Sequence, residues 1–173
     1  MENPFQLMGL PAVYGLDLGV LEQRFLAESA RHHPDRFTDP IDQAEAAERM
    51  SALTLAYRTL KDPEQRANAL LALLGGPAKE DDPSLPPDLL MEVMEVREEM
   101  EVAADRGDAS ELVRLRGWAI ARRAKHQSQI AARLNRAQPT PEDLKAARLE
   151  LNAMRYMNRT LDQLPDTADG SSR

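Results

Sequence analysis

The sequence predicts an all-α protein: a helical hairpin with short flanking helices, followed by a three-helix bundle. Three observations carry this. Leu, Ala, Met, Glu and Arg are abundant while aromatic residues make up only 4%, a balance that favours helix over sheet. The β-branched clusters that mark strands are missing. Apolar residues recur at three- and four-residue spacing, in runs cut by Pro and Gly. The chain has 173 residues, 42% hydrophobic and 29% charged, which suits a soluble globular protein of one ordinary domain or two small ones.

The elements follow in order. Residues 4–9 (PFQLMG) are expected to form one or two helical turns ended by Gly9. Asp17 is a good N-cap for a helix over 18–32, with Leu18, Leu21 and Phe25 as its core stripe. Pro34 ends that helix and pushes His33 out of the α region. After a loop at 33–40, a second long helix is expected over 41–61, with Ala44, Ala47, Met50, Leu53, Tyr57 and Leu60 on one face. Packed antiparallel, the two would bury Leu21, Phe25, Leu53, Tyr57 and Leu60 together. Asp62-Pro63 breaks the pattern and starts a helix over 63–74, closed by Gly75-Gly76.

Residues 76–87 (GPAKEDDPSLPP) hold four prolines and three consecutive acids and read as the linker. Three more helices are expected at about 88–105, 109–135 and 141–164. Asp108 with Glu111 resembles a capping box, and Thr140-Pro141-Glu142-Asp143 supplies an N-cap, a first-turn proline and two acids. Short connections between these helices imply antiparallel neighbours and hence a bundle. The division expected is 1–76, a linker at 77–87, a bundle at 88–165 and a disordered tail at 166–173.

Composition excludes several functions. The formal net charge of −7 argues against a general nucleic-acid binder. The absence of cysteine removes disulfides, thiol nucleophiles, thiolate zinc sites and Cys-ligated iron–sulfur clusters. His32, His33 and the distant His126 lack metal-ligand spacing, so no metal and no cofactor is expected. No nucleophile–base–orienter set can be named, so no catalytic residue is assigned and the protein is not expected to be an enzyme. Residues 1–20 lack the basic start and apolar run of a secretory signal, and no stretch has membrane-spanning length. A cytoplasmic location without membrane or nucleic-acid partners is expected, as a monomer, with a homo-oligomer left open.

His33-Pro34-Asp35 falls on the hairpin loop, eight residues after Phe25. The bland reading is a helix stop. The functional reading uses the same residue types differently. Pro34 rigidifies the turn, Asp35 offers a carboxylate to a partner arginine, and His33 both donates and accepts hydrogen bonds. This arrangement resembles a J-domain, which stimulates ATP hydrolysis by a DnaK-type chaperone. The resemblance implies that His33, Pro34 and Asp35 engage that chaperone, with Arg24, Arg31 and Arg36 as a sparse basic rim interrupted by Glu28. It narrows further. Residues 51–76 (SALTLAYRTLKDPEQRANALLALLGG) and 89–101 (LLMEVMEVREEME) are similar to segments of the HscB family, J-type co-chaperones of iron–sulfur cluster assembly. Residues 155–164 fit that family's last helix less tightly.

The 88–105 helix carries two apolar stripes where one core stripe suffices. Leu89, Val93, Val96, Met100 and Ala103 form a bundle seam. Leu90, Met91 and Met94 point elsewhere, beside Glu95 and Glu98, as an acid-rimmed apolar patch that suits a protein partner. The alternative is broader burial of the helix against residues 63–74. Family resemblance implies that Leu90, Met91, Met94, Glu95 and Glu98 bind an IscU-like iron–sulfur scaffold, with Tyr156 standing where the family often has Phe and Val102 replacing a family acid. The implied function is delivery of that scaffold to an HscA-like chaperone. The alternatives are a general J-domain co-chaperone, or a non-catalytic helical adaptor with another client. Acids dominate 88–105 and bases dominate 109–135, which reads as compensation between neighbouring helices.

Overall fold

The computed structural model describes residues 2–164. The expected tail 166–173 lies outside the described residues. Within them the chain forms seven α-helices and no strand: α1 Pro4–Leu7, α2 Leu18–Arg31, α3 Pro40–Lys61, α4 Pro63–Leu73, α5 Pro87–Arg106, α6 Ala109–Leu134 and α7 Pro141–Gln163. A single 3-10 turn, Pro34–Arg36, joins α2 to α3. Five of the seven helices begin on a proline, because the first turn has no use for the missing N–H and gains from the fixed φ. In four of these five, all but α5, the side chain of the residue just before supplies the cap. Asp39 Oδ1 accepts from Ile41 N at 2.8 Å, and Asp62 Oδ1 accepts from Gln65 N at 2.7 Å. Thr140 and Asp143 close a reciprocal capping box at the start of α7. Gly107, at φ +64°, caps α5 in the left-handed region and turns the chain into α6.

The hairpin core forms largely as its sequence requires. Leu21, Leu53 and Leu60 are buried, and the half-buried rings of Phe25 and Tyr57 stack with centroids 4.4 Å apart. Three positions differ. Leu18 is 48% exposed, and Ala44 and Ala47 also face solvent, while Ala46 and Ala56 are buried. Leu18 is the first residue of α2, at the open end of that helix, while for the alanines the reason is that α3 is packed by α1, α2 and α4. A stripe drawn for one neighbour therefore misses residues that face another.

The two halves share one core. Phe5, Met8, Tyr14, Leu21, Leu53, Leu70 and Leu71 from the first half cluster with Ile130, Leu134, Leu144, Leu151 and Met154 from the second. The centre of α7 is enclosed by α4, α6, α5 and the linker. Ala147 and Ala153 are fully buried within it, and Arg148, Glu150 and Asn152 are buried polar residues. Arg148 Nε donates to Pro77 O at 3.0 Å, and Nη1 donates to Asn68 Oδ1 at 2.8 Å on α4. Asn152 Nδ2 donates to both Asp82 O and Ser84 O, at 2.7 and 2.9 Å. The proline-rich segment is thus held along α7. At the far end Tyr14 N donates to Asn135 Oδ1 at 2.9 Å, fastening the N-terminal loop to the end of α6.

Two predictions follow from this packing. Arg148→Met strands the Pro77 carbonyl and the Asn68 amide, and should cost roughly 2–4 kcal/mol. Calorimetry should show one transition moving as a whole, whereas two separated transitions would contradict a shared core. The second concerns acid. Asp108, bonded by Glu111 N and Ser110, Asp143, bonded by Thr140 N and then Arg136, and Glu111, bonded by Arg114, all have pKa values lowered below the ordinary carboxylate range. A lowered folded pKa gives stability that is present above the unfolded value, about 4, and is lost as pH falls through the folded one. Melting temperature should therefore drop between about pH 4.5 and pH 2, and less steeply in Asp143→Asn.

Candidate functional site

Two exposed features stand on this body. The first is the turn after α2. His33 caps the 3-10 turn, its Nδ1 accepting from Asp35 N at 3.3 Å. That contact leaves Nε2 as the ring nitrogen available to a partner. Asp35 is exposed, with a carboxylate oxygen 3.6 Å from His33 Nδ1. Pro34 is the first residue of the turn and fixes its φ. Gln43 Nε2 donates to Phe37 O at 2.8 Å and pins the exit from the loop. The arginines are partly engaged within the chain. Arg31 pairs with Glu28 at 3.0 Å, Arg36 Nη1 donates to Ala30 O at 3.0 Å, and Arg24 is exposed on α2. The basic rim is therefore thin, as the sequence implied.

The second feature is the outer face of α5. Leu89, Val93, Val96 and Ala103 are buried as a seam, packed on Ala153, Met157, Leu115 and the flank of Trp118. Met100 is half-buried beside them. On the opposite side Leu90, Met91 and Met94 are 52%, 70% and 62% exposed. Helix α4 packs on α6 and α7, so broad burial of α5 against residues 63–74 does not occur. Glu95 and Glu98 are exposed next to this patch, and Val102 continues it at 47% exposure. Tyr156 on α7 is half-buried against the Leu89–Met157 cluster, at the edge between α5 and α7. The inner edge of α5 is tied to α6 by Glu92 with Arg122 and by Glu99 with Arg114. This realises the charge compensation read from the sequence.

Other features drop out as sites. His126 is buried between α6 and α7, and its Nδ1 lies 2.7 Å from Glu150 Oε2. Among the described residues no group of three His, Cys, Asp or Glu could hold a metal, and no helix is long and apolar enough to cross a membrane. The sequence reading missed the polar ties along α7. Arg148 and Asn152 look like ordinary surface residues in sequence, and only an assembled linker gives them partners.

An exposed His-Pro-Asp turn on a helical hairpin, carried on a larger all-α body, is the arrangement that resembles a J-domain protein. Residues 85–164 match the model of the HSCB C-terminal oligomerisation domain. A co-chaperone HscB homolog of Vibrio cholerae is 41% identical over 102 residues, spanning 57% of this chain and 60% of that protein. One from Vibrio vulnificus is 33% identical over 140 residues, spanning 79% and 82%. The structure of the chaperone HscB from Vibrio cholerae superposes with a TM-score of 0.77 at 30% identity, covering 94% of both chains. Human co-chaperone HscB shares the fold with a TM-score of 0.79 at 21% identity, over 94% of this chain and 80% of that one. The chain belongs to the HscB co-chaperone family, whose members are not enzymes.

The two stripes of α5 make a direct prediction. Leu89→Ala should cost about 2–5 kcal/mol of stability, as a truncated core leucine does. Met94→Ala, five residues away, should stay within about 0.5 kcal/mol of the parent. Urea unfolding of both variants checks the assignment.

Proposed function

We propose that this chain is a cytoplasmic co-chaperone that stimulates ATP hydrolysis by a DnaK-type, HscA-like chaperone and brings an IscU-like iron–sulfur scaffold protein to it. In this reading residues 1–76 are the J-domain, 77–87 the linker and 88–165 the scaffold-binding bundle. His33, Pro34 and Asp35 engage the chaperone, with Arg24, Arg31 and Arg36 beside them. Leu90, Met91, Met94, Glu95, Glu98 and Tyr156 engage the scaffold. The observation that carries it is the combination of a pre-shaped, exposed His-Pro-Asp turn and an uncovered apolar face on one body with a common core.

The chemistry supports that division. The turn is already ordered by Pro34 and the His33–Asp35 contact, so little entropy is lost when it docks. The exposed Asp35 carboxylate can form a charge-assisted bond to a partner arginine. On α5, leucine and two methionines give a deformable apolar contact, and the acids around them favour a scaffold surface with basic character. Holding both partners on one body raises their effective concentration for each other.

A coupled ATPase assay with an HscA-like chaperone tests the first half. Stimulation should be present in the parent and lost in His33→Gln, with an unchanged circular dichroism spectrum. A folded mutant that stimulates as well as the parent would refute the role of the turn. For the second half, Leu90, Met91 and Met94 replaced together by Ala should weaken scaffold binding by several kcal/mol, roughly 1 kcal/mol or more each if they are central anchors. Stimulation of the chaperone alone should persist in that variant.

A further inference from the structure

The groove between α5 and α7 carries a charge pattern with no role in the reading above. Seven acids stand between Asp88 and Asp105, and Arg97 is the one base among them. On the α6 side the acids are matched: Glu92 pairs with Arg122 and Glu99 with Arg114. Arg97 stands on the other flank, toward α7, where it shares a cleft with Arg159. Among the described residues neither guanidinium makes a hydrogen bond or an ion pair. Glu101 follows Arg97 by four residues and Asp162 follows Arg159 by three. A base that precedes its acid is the weaker order on a helix, and neither pair closes here.

The cleft that the two arginines border is apolar. Val93, Val96 and Met100 of α5, Trp118 of α6 and Tyr156 of α7 line it. Its volume is about 170 Å³. A cavity of roughly 150 Å³ holds a benzene ring, so there is room for one aromatic or long aliphatic side chain. Pockets for cofactors and small-molecule ligands are larger, about 300–1,000 Å³. The occupant that fits is a side chain of a protein partner. The cleft also adjoins the exposed face of α5. Tyr156 belongs to both, and Leu90 lies seven residues, two helical turns, from Arg97 on the same side of the helix.

We propose that this cleft is a second subsite of the scaffold surface. It takes one apolar side chain of the scaffold, and a carboxylate beside that side chain bridges Arg97 and Arg159. The inference rests on the scaffold reading of α5 and adds the chemistry required of the partner. A carboxylate relieves the repulsion of two cations that lack a counter-charge, and the planar guanidinium fork receives it in two parallel hydrogen bonds. Arginine is weakly hydrated for a cation, so it loses little on being covered beside an apolar wall. The signs then reverse across α5. Glu95 and Glu98 border Met91 and Met94, whereas Arg97 and Arg159 border the cleft. A partner must place bases against the first pair and an acid against the second. Turned end for end, it would set like charges against each other at both places, so the pattern selects one orientation.

The experiment is titration of the full chain with a tryptophan-free IscU-like scaffold, followed by calorimetry and by fluorescence. Trp118 is the chain's single tryptophan, so its emission reports on the cleft alone. In the parent it should shift to the blue as the scaffold side chain displaces water. Arg97→Glu with Arg159→Glu should weaken binding at least about tenfold, with circular dichroism and melting temperature unchanged. Arg58→Glu with Lys125→Glu, an equal charge change at exposed positions on α3 and α6, should bind like the parent. Acids on the scaffold are then replaced by Arg one at a time. One of these should restore binding to the Arg97→Glu, Arg159→Glu chain. Parent affinity in that chain, an equal loss in the control pair, or the lack of any restoring scaffold variant would each overturn the proposal. Scaffold binding with no change in Trp118 emission overturns the filling of the cleft. A shift produced by concentrating the chain alone would give the cleft to a second copy and overturn it as well. A scaffold that binds neither the parent nor any variant refutes the scaffold reading itself, whereas binding indifferent to the cleft refutes the subsite and leaves that reading standing.

Discussion

The burial of α7 is the constraint on which the rest of the structure depends. A helix enclosed on most of its circumference must satisfy every polar group it carries. Arg148, Glu150 and Asn152 do so through different neighbours: α4 and Pro77, His126 on α6, and the carbonyls of Asp82 and Ser84. Each bond fixes one element against α7. Burial of Arg148 lowers its pKa by desolvation, with only the more distant Glu80, Asp82 and Glu64 acting against that. Its charge is accommodated mainly by a carbonyl and an amide oxygen, so the linker carbonyl cannot leave without leaving the guanidinium under-solvated. The positions of the exposed turn and the exposed α5 face both follow from this wall.

The core explains why the candidate functional features could be left exposed. Leu21, Leu53, Leu60 and Leu70 on one side, and Leu144, Leu151 and Met154 on the other, form one cluster. The seam of Leu89 and Val93 forms a second against Ala153 and Met157. With stability drawn from these interiors, the His-Pro-Asp turn and the patch of Leu90, Met91 and Met94 contribute little to folding. Their exposure is the usual condition of binding residues on a rigid scaffold, which suits the role proposed for them.

Much of the fold was legible in the sequence because Pro, Asp, Thr and Gly punctuate it. Each helix start coincides with a proline or a capping residue, and Gly75 and Gly107 stand where positive φ is needed. The exposed patch on α5 was legible too, since four- and three-residue spacing accounts for Leu89, Val93, Val96, Met100 and Ala103 and leaves Leu90, Met91 and Met94 over. The exposure of Ala44 and Ala47 was not, because burial there depends on which of several helices lies alongside α3. Nor was the docking of 77–87. A stretch rich in Pro and acid reads as a spacer, and nothing local announces that its carbonyls will be claimed by Arg148 and Asn152, some seventy residues later.

The central claim is that the His-Pro-Asp turn, proposed to face a chaperone, and the outer face of α5, proposed to face a scaffold, are held at fixed separation by one core. The absence of cysteine in the chain makes this directly measurable, because Thr38→Cys near the turn and Glu101→Cys on α5 can carry spin labels without competing thiols. Pulsed electron–electron resonance should give a single narrow distance distribution in the free protein, unchanged when an IscU-like scaffold is added. A broad distribution in the free protein, of the kind a flexible linker produces, would contradict the account.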